Sequence, residues 1–204
     1  MARAMYPGLK SVGLAWNSAE SNSLAFTKAG RTVCKEMGIE LMEANVESSS
    51  AVLEAAASLV ARGAQALWVS GDVTVLVALE SVVAAAHRGR IPVFTITPPG
   101  VQRGSLFDSG VNFYEVGEQT GQLAASILKG ADPAKIPVRN LIPEKVAVNL
   151  TALAGLKDNW RIPPDLVAQA HIVLDEKGLH DKTATKLRKP PPGHMFKLGL
   201  VDFA

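Results

Sequence analysis

Ala66-Leu67-Trp68-Val69-Ser70-Gly71-Asp72-Val73-Thr74 and, after an Ala- and Val-rich stretch, Ile91-Pro92-Val93-Phe94-Thr95-Ile96 decide the fold. Both apolar runs are too short for helices, and the first is stopped by the turn residues Ser70, Gly71 and Asp72, so each reads as a buried strand. Pro92 sits at a strand entrance, where the lost backbone donor does least harm. Residues 73–88 between them read as a helix closed by Gly89. Strand, helix and strand joined by a few residues is the unit of a parallel sheet. The rhythm continues upstream. Residues 11–16 form a strand ended by Asn17 and Ser18. Residues 20–37 read as a helix with a loose apolar stripe of Leu24, Phe26, Ala29, Val33 and Met37, and Gly38 stands at its C-cap. Residues 39–46 alternate as a strand. Ser48, Ser49 and Ser50 then open an Ala-rich helix, 51–62, closed by Gly63. Over 11–96 the chain is therefore α/β, a doubly wound parallel sheet.

Beyond Thr97-Pro98-Pro99-Gly100 the rhythm changes. Residues 105–107 read as a short strand, 113–129 as a helix ended by Lys129-Gly130, and 132–143, with three prolines, as an extended connection. Residues 145–149 read as one more strand, and Pro163-Pro164 precede a short helix near 165–170. The charged region 175–194 contains Lys189-Pro190-Pro191-Pro192-Gly193 and reads as an exposed linker. Residues 196–204 echo the opening strand, Lys197-Leu198-Gly199-Leu200 beside Lys10-Ser11-Val12-Gly13-Leu14. The expectation is a chain cut from a longer one, with the first strand of a following unit at its end.

A chain of 204 residues makes one domain, or one and a half small lobes, and buries roughly 70% of its unfolded surface. Apolar residues are 48% and charged residues 20%, which argues against disorder and coiled coil. The net charge of +2 gives no footprint for a nucleic-acid partner. The longest apolar stretch, 52–85, is broken by Glu54, Arg62, Gln65, Asp72 and Glu80, so the chain is not expected to span a membrane. Cys34 is the single cysteine, which excludes an internal disulfide and a zinc cluster of cysteines. Residues 1–8 have no apolar signal core.

In doubly wound sheets ligands bind beyond the carboxyl ends of the strands. Here those ends carry Asn17 and Ser18, with Asn22 and Ser23 close behind, then Ser49 in its serine run, then Asp72 and Thr74, then Thr97. Tyr114, opening the helix after 111, is a further candidate, with a core or surface role as the alternative. Hydroxyls, amides and helix N–H groups converging there suit a small ligand with several hydrogen-bonding groups. Each member also has a purely local reading. Asn17 with Glu20 fits a capping box, and Ser50 and Asp72 fit N-caps. The recurrence at adjacent strand ends is the signal.

Enzymatic signatures are missing. There is no GxGxxG after the first strand, no GxxxxGK[ST] and no GxSxG. His87 reads as a helix C-terminal partner, and His171, His180 and His194 have no metal-ligand spacing. Cys34 reads as an inert thiol, and Trp16 and Trp68 as core. The reading is binding without catalysis, with no cofactor and no metal.

The strand-end motifs resemble a known family. Asn17-Ser-Ala-Glu-Ser-Asn-Ser23 is similar to its Asn-Pro-x-Glu-x-Asn-Ser loop, and Asp72-Val-Thr74 followed by Ala78-Leu-Glu-Ser-Val-Val83 to its Asp-Asn-Thr-x-x-x-x-Ala-Leu-Glu-Ser-Val segment. Ile91-Pro-Val-Phe94, Arg103-Gly104, Gly110-Val-Asn-Phe-Tyr-Glu-Val-Gly-Glu-Gln-Thr-Gly121, Ile127-Leu-Lys-Gly130 and Pro133-Ala-Lys-Ile-Pro137 complete the match over roughly 9–171. The family is that of the ABC-transporter substrate-binding proteins, of the tryptophan and tyrosine type.

The resemblance implies two α/β lobes of the type I periplasmic-binding-protein fold, closing on a small-molecule solute. It implies that 9–106 is the second lobe, that 107–171 crosses back and completes part of the first, that 172–195 is a linker and that 196–204 starts a following unit. Asn17, Asn22, Ser23, Ser49, Asp72 and Thr74 match cleft-lining positions of its motifs. Val73 stands where the family has an asparagine, and Thr97-Pro98-Pro99 where it has Ser-Asp, which removes a carboxylate able to meet a ligand amine. The resemblance further implies an ABC permease in the membrane as partner, and a location outside the cytoplasmic membrane, periplasmic or membrane-anchored. The function expected is delivery of a small polar, amino acid-like solute to an importer. A ligand-sensing regulatory domain of the same fold is the alternative, and a doubly wound enzyme the one with least support.

Overall fold

The computed structural model describes residues 1–111, 113–137 and 144–182. The first elements are a short helix α1 (Ala2–Met5), strand β1 (Ser11–Trp16), helix α2 (Ser21–Glu36) and strand β2 (Glu40–Asn45). Helix α3 (Val52–Ala61), strand β3 (Leu67–Val69), helices α4 (Val73–Val77) and α5 (Leu79–Gly89) and strand β4 (Val93–Thr95) follow. A 3₁₀ turn, Pro98–Arg103, leads to strand β5 (Phe107–Val111) and helix α6 (Phe113–Leu128). Strand β6 (Glu144–Asn149), helix α7 (Pro164–Gln169) and the hairpin of β7 (Ile172–Asp175) and β8 (Gly178–Asp181) complete the described chain.

All eight strands join one sheet in the order β2-β1-β3-β4-β5-β6-β7-β8. From β2 to β5 every pairing is parallel, as the alternation over 11–96 requires. β5 and β6 pair antiparallel, with Val111 opposite Glu144, so the chain leaves the sheet on one strand and returns on its neighbour. Residues 172–181, expected within an exposed linker, instead extend the sheet as β7 and β8. The charged stretch from Asp175 resembles a linker in composition, but Ile172-Val173-Leu174 before it is apolar, and Val173 is buried in the core of that face. The rest of the linker and 196–204 lie outside the described residues.

Side chains alternate between the two faces, as the pleat dictates. Leu67, Val69 and Val93 point to the face covered by α3 and α5, where they meet Val52, Ala56, Leu59, Leu79 and Val82. Ala66, Trp68 and Phe94 point to the other face, among Met5, Leu9, Phe107, Val148, Trp160 and Leu166. Fully burying a leucine such as Leu59 or Leu79 stabilises by about 1.5–3 kcal/mol. Gly110 has a specific reason on β5: a Cβ there would lie 1.6 Å from the Ile96 carbonyl oxygen, so no side chain fits.

Two helices differ from the sequence reading. The single helix expected over 73–88 is two, α4 and α5, broken at Ala78 (φ −101°, ψ 28°). Val73, Thr74, Val75 and Val77 are β-branched and weak helix formers, and the Arg103 guanidinium takes the Leu76 carbonyl that a longer helix would use. Helix α2 forms as expected, but its apolar stripe is not its buried face. Ser23, Thr27 and Gly30 face the sheet. Leu24, Phe26, Val33 and Met37 are 37–50% exposed beside an open groove.

Candidate functional site

The carboxyl ends of β1 and β3 lie side by side, and Asp72 ties them together. Its carboxylate is 1% exposed. One oxygen accepts the Asn17 backbone N–H at 2.6 Å and the Ser23 hydroxyl at 2.5 Å, and the other accepts the Val75 N–H at 2.8 Å. Asp72 is thus the N-cap of α4, as its sequence position suggests, and also a buried clamp across two strand ends. Ser23 and Asn17 are buried with it.

Glu20 builds a second layer above that clamp. It does not serve the capping box with Asn17. Asn17 Oδ1 accepts the Ala19 N–H, and no side chain caps α2. Instead the Glu20 carboxylate reaches across to α4, accepting the N–H groups of Val73 and Thr74 at 2.8 and 3.0 Å and the Thr74 hydroxyl at 2.5 Å. These are orphan donors of a helix start, where an anion is favoured. Desolvation works against the Glu20 charge, but the Thr74 hydroxyl, the two N–H groups and the Asn22 amide outweigh it and hold its pKa below the usual value. The Asn17 amide donates to Thr74 Oγ1 at 3.1 Å, and the Asn22 amide donates to the Gly71 carbonyl at 2.6 Å. The opposite end of α4 is held by Arg103, which donates to Leu76 O and pairs twice with Glu80 at 2.6 Å. That hydrogen-bonded pairing lowers the Glu80 pKa to about 2.

The candidate residues therefore divide. Asn17, Ser23 and Asp72 are buried scaffold, and Thr74 is half-buried with its hydroxyl engaged by Glu20 and Asn17. Ser18, Asn22 and Ser49 are exposed at the same edge, and Thr97 is half-buried. Ser49 opens a 3₁₀ turn in which the Ser48 and Ser50 hydroxyls are 2.9 Å apart, and Ser50 caps no helix with its side chain. Tyr114 lies in the first turn of α6, apart from the cluster in the chain, and its side chain is outside the described residues. Val73 and Val77, one turn apart on α4, are 59% and 68% exposed.

A second buried carboxylate, Asp108 on β5, escapes a reading confined to strand ends. It accepts the Thr95 hydroxyl at 2.6 Å, the Ser105 hydroxyl and the Val101 N–H at 2.6 Å. Burial pushes its pKa up to about 7 against those three hydrogen bonds. The Val101 carbonyl in turn accepts the Asn149 amide of β6 at 3.1 Å. Thr97 is locked into the same network through the Thr95 hydroxyl, which accepts its N–H at 3.2 Å. The small polar residues Thr95, Thr97, Ser105 and Asp108 set among apolar ones are its sequence trace.

Among the described residues no three His, Cys, Asp or Glu side chains cluster to hold a metal. His171 accepts the Val146 N–H, and His180 lies 3.0 Å from Asp175. Burial pushes the Cys34 thiol pKa up, away from the reactive thiolate. No described helix is long and apolar enough to cross a membrane.

The family described as ABC transporter substrate binding protein matches residues 1–172. A tyrosine-binding protein of Clostridioides difficile (strain R20291) is 26% identical over 156 residues, 76% of this chain and 45% of the relative. Among solved structures, a conserved domain protein of Vibrio cholerae O1 biovar El Tor is similar with a TM-score of 0.74 at 27% identity, covering 84% of this chain and 57% of that one. An ABC domain in complex with L-Trp from Streptococcus pneumoniae reaches 0.73 at 23% identity, with the same coverage, and speaks for the fold. The chain spans about half the length of the relatives it matches.

Proposed function

The chain belongs to the family of ABC transporter substrate-binding proteins, and on that premise we propose that the edge formed by Ser18, Asn22, Ser49, Thr74 and Thr97 is its solute-contacting surface. Members of this family bind solutes and do not transform them. The observation that carries the reading is the division of labour at the strand ends. Asp72 and Glu20 hold β1, β3 and α4 in fixed relation, and Ser18, Asn22 and Ser49 beside them stay exposed. A rim pre-ordered in this way loses little entropy when a ligand arrives.

The solute is small, polar and of the amino-acid type, as the name of the tyrosine-binding relative suggests. Its recognition by this edge rests on hydroxyl and amide groups, since both carboxylates are engaged within the protein. β5 and β6 are the pair of strands through which the chain passes to a second lobe and back, and closure of two lobes on the solute is the event presented to a permease outside the cytoplasmic membrane.

Two-dimensional ¹H–¹⁵N NMR of the 204-residue chain, titrated with L-tyrosine and separately with L-tryptophan, tests the surface. The expected result is movement of the Ser18, Asn22, Ser49 and Thr97 resonances, with Lys10 and Gln65 at the opposite strand ends unmoved. No movement with either amino acid, or movement confined to the opposite edge, overturns the proposal.

A further inference from the structure

Segments 17–23, 45–51, 70–77 and 95–100 carry the chain over the edge at the ends of β1 to β4. They hold three carboxylates, Glu20, Glu47 and Asp72, and no Lys, Arg or His. Among the described residues no base forms an ion pair with any of them. Arg31, over the Trp16 ring at the end of β1, is committed to Glu43, and Arg103, at the far end of α4, to Glu80.

Hydrogen-bond donors are short on the same edge. An anionic solute group ordinarily seeks the open N–H groups of a helix start. At α4 these are spent: Val73 and Thr74 donate to Glu20, and Val75 donates to Asp72. Both N–H bonds of the Asn22 amide are used as well, toward the Gly71 carbonyl at 2.6 Å and Glu20 at 3.4 Å, which leaves Asn22 its carbonyl oxygen. The one hydroxyl proton of Thr74 goes to Glu20, so Thr74 can offer a solute only an acceptor. Glu20 is also the N-cap residue of α2. One half-buried carboxylate thus stands at both helix starts of this edge and offsets the positive end of each. The Ser18 and Ser49 hydroxyls can turn either way and favour neither sign.

We propose that Glu20 sets the sign of the solute group this lobe receives: an ammonium or another donor-bearing group is taken, and a carboxylate is turned away. The proposal rests on the reading of this edge as the solute-contacting surface. A solute of amino-acid type then meets the lobe with its amine, against the Asn22 and Thr74 oxygens, and holds its carboxylate away from it. Glu20 acts through its charge and through the donors it consumes, since each of its oxygens already accepts two hydrogen bonds. A like charge brought against it is disfavoured.

Two-dimensional ¹H–¹⁵N NMR of the 204-residue chain, titrated at low salt with probes that share one phenol ring, tests the sign. Tyramine carries only the ammonium, 3-(4-hydroxyphenyl)propionate only the carboxylate, and L-tyrosine both. Tyramine is expected to move the Ser18, Asn22 and Thr74 resonances at a concentration roughly fivefold below that of the propionate, the scale of unit charges several ångströms apart in water. Glu20→Gln should bring the two fragments together. Salt at about 1 M, which screens the charge and needs no substitution, should close the same gap. A propionate that acts as readily as tyramine, a gap that survives Glu20→Gln or salt, or movement with L-tyrosine alone overturns the proposal and leaves the surface standing. Movement with none of the three probes overturns the surface and the proposal with it.

Discussion

The Glu20 carboxylate accepts both the hydroxyl and the backbone N–H of Thr74, so the loop after β1 caps the helix after β3. A charged cap of this kind contributes about 0.5–2 kcal/mol. Glu20→Gln keeps the shape and loses the charge, and is expected to lower the urea midpoint at pH 7. The sign with pH follows from the depressed folded-state pKa. The contribution is present above the unfolded carboxylate value and is lost as pH falls through the folded one. The gap between native protein and Glu20→Gln should therefore close in acid. An equal gap at every pH would show that the charge contributes nothing.

Asp72→Ala leaves the Asn17 N–H, the Ser23 hydroxyl and the Val75 N–H without their acceptor in a buried place. Stranding buried donors costs about 1–3 kcal/mol each, with relaxation and water entry reducing the total. We expect a loss of several kcal/mol by chemical denaturation, against at most about 0.5 kcal/mol for Ser18→Ala on the exposed rim. Comparable losses from the two substitutions would contradict the separation of scaffold from rim.

Asp108 predicts a pH dependence of opposite sign to that of Glu20. Its folded pKa, about 7, is raised by burial above the ordinary aspartate value of 3.8. The folded state therefore binds a proton more tightly than the unfolded chain. Its contribution is full below about pH 4 and declines as pH rises toward and through 7. Asp108→Asn retains an acceptor for the Val101 N–H and cannot ionise. Urea midpoints measured from pH 5 to 8 should fall for the native chain and stay level for the variant. Parallel curves would remove Asp108 as the cause.

Gly110→Ala places a methyl where the Ile96 carbonyl oxygen stands. The strand must move, and the β5–β6 ladder from Phe107–Val148 to Val111–Glu144 moves with it. The expected result is a drop in melting temperature at least as large as that of Leu59→Ala in the opposite core, itself worth about 2–5 kcal/mol. An unchanged melting temperature would show that β5 bends past Ile96 without cost.

The parallel sheet over 11–96 was legible because each strand is short, apolar and stopped by turn residues, which are local signals. The edge carrying the candidate residues was legible for the same reason. What the sequence concealed lies in contacts between distant segments. Nothing local to Val73–Gly89 tells that Arg103 will break the helix at Ala78. Nothing local to Asp72 tells that Asn17 and Ser23 will engage its carboxylate, and nothing local to Glu20 that it will cross to α4 instead of capping its own helix. The stripe on α2 misled in another way. Apolar spacing identifies a helix but not which side the sheet accepts, and here the small residues Ser23, Thr27 and Gly30 allow the closer approach. β7 and β8 lie at the sheet's far end, where the short apolar run Ile172-Val173-Leu174 seats β7 and the charged residues after it disguise the hairpin as a linker.

One residue joins the outgoing and returning strands. Val101 gives its N–H to Asp108 on β5 and its carbonyl to the amide of Asn149 on β6, within the same turn that follows Thr97. Twisting β5 against β6 pulls that turn from two sides at once. The spacing between β5 and β6 and the position of the turn after Thr97 are therefore fixed by the same two hydrogen bonds, so neither can change alone.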